Sequence, residues 1–454
     1  MNVKKRLLSF AAALSLGVFL GGSALAQDKM TLQQCVDYAL KHHAEVQNAD
    51  VDVRIAKAKV GETRAIGLPQ INAQATWNNN LSLRKTQMPN VEGSPFYDPN
   101  AGEMLEFAFG TKFDGALGAE LSQLLFDGSY IVGLQASSTY QELAKRQSVK
   151  TKIDRVDAVK RAYFLVLVNG KRKTLFDSNL ERLEKLLNET DHMWKQGFAE
   201  KIDVDRIRVN YNNVKAQRDQ FVRVHSLSQL ALKFQMGYPL DGDLALVERL
   251  EDYDLTLPSG SQGNFDNRIE KQLLDVNIKL AKLNIRQYQV QYLPTLSFIG
   301  SVGYNTNADQ TSEFFNFKQG WLDYSLVGLR VNVPIFDGLS KHYKIRQARM
   351  EKLKYEQQRK MLRQSFNVEY SQALNDLKTA LDMLQVQEQN RELANEVFRV
   401  TKMKFQEGIG SNQELVDADN SLTEAQTNYF TALYDALVAK VALAKATGSL
   451  YGAP

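Results

Sequence analysis

Two carboxylates stand three residues apart in "QELVDAD", Glu414 and Asp417. On a helix that spacing puts both on one face. Aligning "QGFAEKIDV" (196–204) with "EGIGSNQEL" (407–415) sets Asp203 and Arg206 at the matching positions earlier in the chain. Read from spacing alone, such a pair is also what a solvated helix face carries. Little else points to chemistry. His42, His43, His192, His225 and His342 form no His-x3-His pair, and the one cysteine, Cys35, completes no Cys/His cluster with metal spacing. There is no Gly-rich phosphate loop and no nucleophile elbow. No nucleophile–base constellation can be assembled, so neither an enzyme nor a resident cofactor or metal is expected.

The other pointers are glycines. "QGFAEKI" (196–202) and "EGIGSNQ" (407–413) interrupt helical patterns at Gly197 and Gly408. Glycine permits a turn that other residues resist. A plain helix–helix turn accounts for both as far as the residues alone go.

The elements that position these residues come in two sets. "LPQI" (68–71) matches "LPTL" (293–296), and "LFDG" (125–128) matches "IFDG" (335–338). From the tips onward no gap is needed until Gly237 meets Gly448. The order is the same in both halves, which marks a tandem duplication. The expected boundaries are a first repeat over 27–240, a connector over 241–263, a second repeat over 264–450 and a short tail over 451–454. The connector is rich in turn formers and is expected to be irregular.

Each half reads helix, strand, loop, strand, very long helix, break, helix. The strands alternate with period two. Ile71, Ala73, Ala75 and Trp77 oppose Asn72, Gln74, Thr76 and Asn78, and Leu117, Ala119 and Leu121 oppose Gly118, Glu120 and Ser122. Leu296, Phe298 and Val302 oppose Ser297, Ser301 and Gly303, and Val327, Leu329, Val331 and Val333 oppose Gly328, Arg330 and Asn332. Aromatics gather near the strand ends, among them Trp77, Phe113, Phe314, Trp321 and Tyr324, as in the girdles of outer-membrane barrels. Four strands cannot close a barrel, because the smallest need about eight. The chain must oligomerise or pack its strands on something else.

After Gly128 and Gly338 the helical pattern runs without proline to about Lys195 and Gln406. Each run would be roughly 100 Å long at 1.5 Å per residue, which implies coiled-coil packing. The remaining helices, near 32–65, 203–236, 266–290 and 413–447, are about half as long. Two of them laid end to end match one long helix, which describes an elongated helical cylinder below a barrel.

The N-terminus, "MNVKKRLLSFAAALSLGVFLGGSALAQ", has a basic opening, an apolar stretch and Ala24-Leu25-Ala26. A secretory signal peptide over 1–26 is expected. Removing its three basic residues leaves 53 of the 56 Lys and Arg against 52 Asp and Glu, so the charge gives no reason to expect nucleic acid. The rest has no apolar run near 20 residues, so any membrane crossing must be made by strands.

These features resemble the TolC family of outer-membrane efflux proteins. The carriers are "MTLQQCVDYALKHHAEVQNADVDVRIAKAKVGETRAIGLPQI" (30–71), both Leu-Pro strand openings, both Phe-Asp-Gly junctions and both glycine tips. The resemblance implies a mainly α fold with membrane β-structure: tandem coiled-coil hairpins and four strands per chain. It implies a homotrimer with a twelve-stranded β-barrel and a periplasmic α-helical tunnel. It also implies residence in the outer membrane of a Gram-negative bacterium, in contact with outer-membrane lipid. The function implied is an exit duct of a tripartite efflux or type I secretion system, working with a periplasmic adaptor and an inner-membrane efflux pump or ABC exporter. In the family the tips receive the adaptor, a role carried here onto Gly197, Phe198, Ala199, Gly408, Ile409 and Ser411. The family places acidic residues at the Glu414 and Asp417 positions on the wall of the periplasmic entrance, a ring of about six carboxylates in a trimer. Two departures stand out: Leu124 replaces the proline that Pro334 supplies in the second half, and Glu200 replaces the hydroxyl residue that Ser411 supplies. The alternative is a non-conducting coiled-coil scaffold or surface protein.

Overall fold

The two proline-free stretches each fold as one uninterrupted helix. The computed structural model describes residues 28–257, 264–318 and 320–451, so the leader expected over 1–26 lies outside the described residues. In chain order the elements are β1 (Asp28–Met30), α1 (Leu32–His42), α2 (Ala44–Ala65), β2 (Gln70–Asn79), β3 (Lys85–Pro89), β4 (Met104–Ala108), β5 (Phe113–Phe126) and α3 (Gly128–Lys195). Then come α4 (Lys201–Met236), β6 (Leu244–Leu246), α5 (Ile269–Val290), β7 (Thr295–Ala308), the single turn α6 (Thr311–Phe314), β8 (Trp321–Asn332), α7 (Ser340–Gln406) and α8 (Asn412–Thr447). α3 has 68 residues and α7 has 67. Among the described residues no helix is long and apolar enough to cross a membrane.

Two compact units result. The first takes the described residues of Met1–Gln47, Lys152–Gln262 and Tyr370–Pro454, the second those of Asn48–Thr151 and Gly263–Glu369. Each draws on both repeats, so the repeat is a unit of sequence and not of packing.

The second unit holds the four strands read from alternation. They form one antiparallel sheet in the order β2-β5-β7-β8. The register keeps like with like: Ile71 pairs with Leu121 and Ala73 with Ala119, while Asn72 pairs with Glu120 and Glu120 with Ser301. One face is therefore apolar. On the other, Asn72, Gln74, Glu120, Ser301, Tyr324 and Arg330 line a recess. Tyr324 stands among the strand-end aromatics by sequence position, but its ring lies on this polar face. Gly118 and Gly303 pair across the sheet beneath it. A Cβ on Gly303 would fall 2.6 Å from the Leu117 carbonyl oxygen and 2.7 Å from the Tyr324 hydroxyl, so the two glycines make room for that side chain. Trp77, Phe113, Phe314 and Trp321 do cluster, with Trp321 Nε1 donating to the Phe314 carbonyl at 3.0 Å.

The two Phe-Asp-Gly junctions differ in detail. Asp127 Oδ1 accepts from the Ser129 amide at 2.6 Å, and Asp337 Oδ2 from the Lys341 amide at 2.9 Å. Both aspartates thus satisfy orphan donors at a helix start. β5 runs on to Phe126 through an irregularity between Leu124 and Phe126, whereas β8 stops at Asn332. Pro334, which has no N–H to give a ladder, stands just beyond. A hairpin of β3 with β4, absent from the sequence reading, occupies the β2–β5 loop.

In the first unit β1 pairs in parallel with β6, Asp28 with Leu244 and Met30 with Leu246. The connector expected to be irregular therefore contributes a strand. Half-buried Glu248 secures the same place. Its Oε2 accepts from the Leu32 amide and the Tyr163 hydroxyl, both at 3.2 Å, and from the Tyr253 hydroxyl. Cys35 is fully buried in the adjoining core, and burial pushes its thiol up to about 12. That leaves no reactive thiolate at neutral pH.

The helix read over 32–65 is broken at His43, whose backbone is extended. Gly237, the left-handed cap of α4, lies against the break: a Cβ there would be 2.9 Å from the His43 Cα. His43 Nδ1 accepts from the Glu45 amide at 3.2 Å and so caps α2. Acceptance requires a neutral ring. Burial, then the nearby Arg155 guanidinium, holds the imidazole below its usual range. A histidine depressed on folding contributes stability that is complete above its unfolded value near 6.5 and lost as pH falls through the folded one. Thermal unfolding followed between pH 7 and 5 should show a loss on acidification. His43→Asn, a capping residue that does not titrate, should flatten it, and His43→Ala should cost about 1 kcal/mol at pH 7. An unchanged pH slope in His43→Asn would assign the acid sensitivity elsewhere.

Candidate functional site

The two glycine tips close by the same geometry. Gly197 has φ of 83° and Gly408 of 76°. The Phe198 amide donates to the Met193 carbonyl at 2.8 Å and the Ile409 amide to the Lys404 carbonyl at 3.0 Å. These bonds satisfy carbonyls that a helix end would otherwise leave free. Each turn then presents one large apolar side chain to solvent: Phe198 is 77% exposed and Ile409 78%. The Glu200/Ser411 departure leaves the backbone alike. Ser411 Oγ accepts from the Glu414 amide at 3.2 Å, while in the first tip the Asp203 carboxylate reaches back to the Glu200 amide, also at 3.2 Å.

The starts of α4 and α8 are tied together. Asn412 Nδ2 donates to the Asp203 carbonyl at 2.9 Å and to its Oδ1 at 3.1 Å. Beside that link Glu414 and Asp417 are both exposed on one face of α8, and Asp417 Oδ1 accepts from Gln413 Nε2 at 3.0 Å. Glu424 extends the row by two turns and is also exposed. Its spacing of seven from Asp417 is the one signal of it in the sequence, and the close pair alone does not reveal it. Arg206, the first-repeat counterpart of Asp417, lines a groove between α4 and α8 with Ile202, Val209, Gln413 and Val416. Among the described residues no three His, Cys, Asp or Glu side chains converge as metal ligands would.

Asp419, two residues past Asp417, points the other way. It is 1% exposed and forms an ion pair with Arg182 of α3, at 2.6 Å from Nη2 and 3.0 Å from Nε. Its second oxygen accepts from Asn210 of α4 at 3.3 Å. The guanidinium also sits over the Phe398 ring of α7, 4.7 Å from its centre. Four helices thus meet at one buried charge pair, among Leu183, Leu186, Ile207, Leu415 and Leu422. Sequence alone could not separate Asp419 from its exposed neighbour, because its partner lies 237 residues away. Arg182→Leu would leave a buried carboxylate without its cation and should cost about 3–5 kcal/mol. Leu at both positions should recover most of that. Thermal unfolding of the two variants in detergent measures the difference, and equal losses would show that the pair is not coupled.

A profile of the outer membrane efflux protein family matches residues 272–449. The chain is 24% identical over 426 residues to the probable efflux pump outer membrane protein TtgC of Pseudomonas putida, covering 92% of this chain and 82% of that protein. It is 22% identical over 471 residues to outer membrane protein TolC of Vibrio cholerae, covering 98% and 96%. Its fold matches the crystal structure of CusC with a TM-score of 0.73 at 16% identity, over 92% of each chain. The profile falls on the second repeat, and the relatives extend the likeness back through the first. Residues 272–449 belong to the outer membrane efflux protein family, the relatives carry the likeness over the rest of the chain, and the protein is an outer membrane efflux channel of Gram-negative bacteria whose work is transport rather than catalysis.

Proposed function

We propose that three copies of this chain form a passive exit duct for an inner-membrane pump, joined to it by a periplasmic adaptor at the glycine tips. The observation that carries the reading is the sheet. Its edge strands β2 and β8 have no partner strand among the described residues. Ile71 on one edge and Val327, Leu329 and Val331 on the other are exposed. A long apolar edge left in water is a template for pairing with another chain. Lipid on the apolar face and a neighbouring copy at each edge remove both costs at once. Three sheets of four strands give a barrel wide enough for water, with Glu120 and Arg330 facing its bore. The relatives' names, efflux pump outer membrane protein and TolC, support the assignment of partners. An inner-membrane efflux pump or an ABC exporter fits the same duct.

At the periplasmic end, Glu414 and Asp417 line the entrance, and the tips around Gly197, Phe198, Ala199, Gly408, Ile409 and Ser411 receive the adaptor. A ring of carboxylates admits cations and resists anions. In planar bilayers the resting channel should be cation-selective and blocked by multivalent cations from the periplasmic side. Glu414→Gln with Asp417→Asn should weaken the block about tenfold or more, the loss expected when a multivalent ion gives up well over 1.4 kcal/mol of attraction. Unchanged reversal potentials and block would take both residues off the entrance wall.

Gly408→Val places a β-branched side chain at φ of 76°, a region open chiefly to glycine. Export in cells, and cross-linking to the adaptor, should fall severalfold while barrel assembly, read as heat-modifiable oligomer, stays intact. Wild-type export and cross-linking would remove this tip from the partner surface.

A further inference from the structure

The polar face of the sheet carries two opposite charges that leave each other alone. Glu120 and Arg330 line the same recess, of about 270 Å³. Neither has an ion-pair or hydrogen-bond partner among the described residues. The register explains why they do not meet. Glu120 of β5 stands opposite Ser301 of β7, and Ser301 opposite Leu326 of β8. Arg330 lies four residues beyond Leu326, opposite Ser297. Strand spacing and rise separate the two Cα positions by roughly 16 Å, and side chains leaning inward leave roughly 6–8 Å between carboxylate and guanidinium. That is too far for an ion pair and close enough for one small molecule to touch both.

The surroundings of the two charges differ. Midway along the diagonal is Ile299, opposite Ser122 on one side and Gly328 on the other, with Leu326 next to it in the recess. The middle is therefore apolar. At the Glu120 end lies Tyr324, laid down along the sheet. Its hydroxyl would be 2.7 Å from a Cβ on Gly118, two residues from Glu120 on the same strand and face. Glycine inside a strand weakens it and marks a place of close approach. A tyrosine standing off the sheet would need neither Gly118 nor Gly303. What the two glycines achieve is an aromatic ring beside a carboxylate, a combination that attracts organic cations. Asn72 pairs with Glu120 and Gln74 with Gly118, and both line the recess. Their amide oxygens can accept from an ammonium there.

We propose that this recess binds zwitterions whose ammonium and carboxylate are held apart by an apolar spacer about one aromatic ring long. The ammonium lies against Glu120 and Tyr324, the spacer rests on Ile299 and Leu326, and the carboxylate meets the planar fork of Arg330. The inference rests on the reading of this face as the wall of a duct, and it adds a class of solute that the wall holds in passing. The recess is small beside ordinary ligand pockets, so a single ring fills it and binding is weak. Weak binding suits conduction, because a solute must leave as readily as it enters. Every residue of the site comes from one chain, so each copy carries a whole recess.

The test titrates the full-length protein in detergent with 4-(aminomethyl)benzoate, a rigid zwitterion with one ring between its charges. Benzylamine and benzoate each carry one of those charges, and phenylglycine carries both on a single carbon. The spaced zwitterion should bind at least tenfold more tightly than any of the three. Glu120→Gln should remove its advantage over benzoate, and Arg330→Gln its advantage over benzylamine. Tyr324→Leu should weaken it severalfold, while Tyr324→Phe, which keeps the ring, should not. Glu120→Arg combined with Arg330→Glu should retain binding, since the ligand can turn end for end. Equal affinity for the zwitterion and benzylamine, or zwitterion binding unchanged in both single charge variants, overturns the proposal. Should Tyr324→Leu fail to assemble, the charge variants decide alone. Planar-bilayer conductance of the same preparations separates this inference from the reading beneath it. A conducting protein without zwitterion preference keeps the duct and rejects the recess. A protein that binds the zwitterion through Glu120 and Arg330 but conducts nothing keeps the recess and rejects the duct.

Discussion

Two helices of 68 and 67 residues can lie against their neighbours in several registers that bury nearly the same apolar area. Leucine against leucine does not tell one heptad from the next. Buried polar pairs do, because a slip leaves each member desolvated without its partner. Along α3 such residues recur: Arg155 beside Glu45 and Gln235, Asn179 beside Thr423, Arg182 beside Asp419. A charge pair of this kind is weak evidence for stability. Its value here is positional. The tips and the exposed acidic row are placed by helices, and the helices are placed by these contacts.

The sheet solves a different problem with the same duplicated sequence. Each repeat brings two strands, and β5 of the first pairs with β7 of the second. Period-two alternation then sorts lipid-type from water-type side chains with no further instruction. The junction to each long helix is an aspartate cap in both halves. The chain around it differs: Gly338 and Leu339 both have positive φ, whereas Gly128 is already helical. The two halves share the cap and differ in the backbone route.

Much of this was legible in the sequence, for physical reasons that can be named. Long helices, alternating strands and glycine tips are local signals, and the four-stranded sheet follows from them. What stayed hidden depended on distant partners. The break at His43 is set by the packing of Gly237, nearly two hundred residues on. The strand at Leu244–Leu246 is too short to show a period and exists because Asp28–Met30 lies beside it. Asp417 and Asp419 share one motif but face water and core respectively, and only the fold separates them. The β3–β4 hairpin falls in a loop whose turn formers masked five-residue strands.

The parallel pair of β1 with β6 also bears on timing. Its two strands are more than two hundred residues apart, and the Leu32 amide reaches Glu248 over a similar separation. Contacts of such range form late, since the loop they close is long and its entropy is lost before any bond repays it. Residues 28–32 must therefore wait, unpaired, until the whole first hairpin and the connector have emerged. Residues 28–32 are thus among the last to be fastened. A chain arriving vectorially would keep residues 28–32 open until the first repeat is complete, and fastening them would mark that repeat as finished.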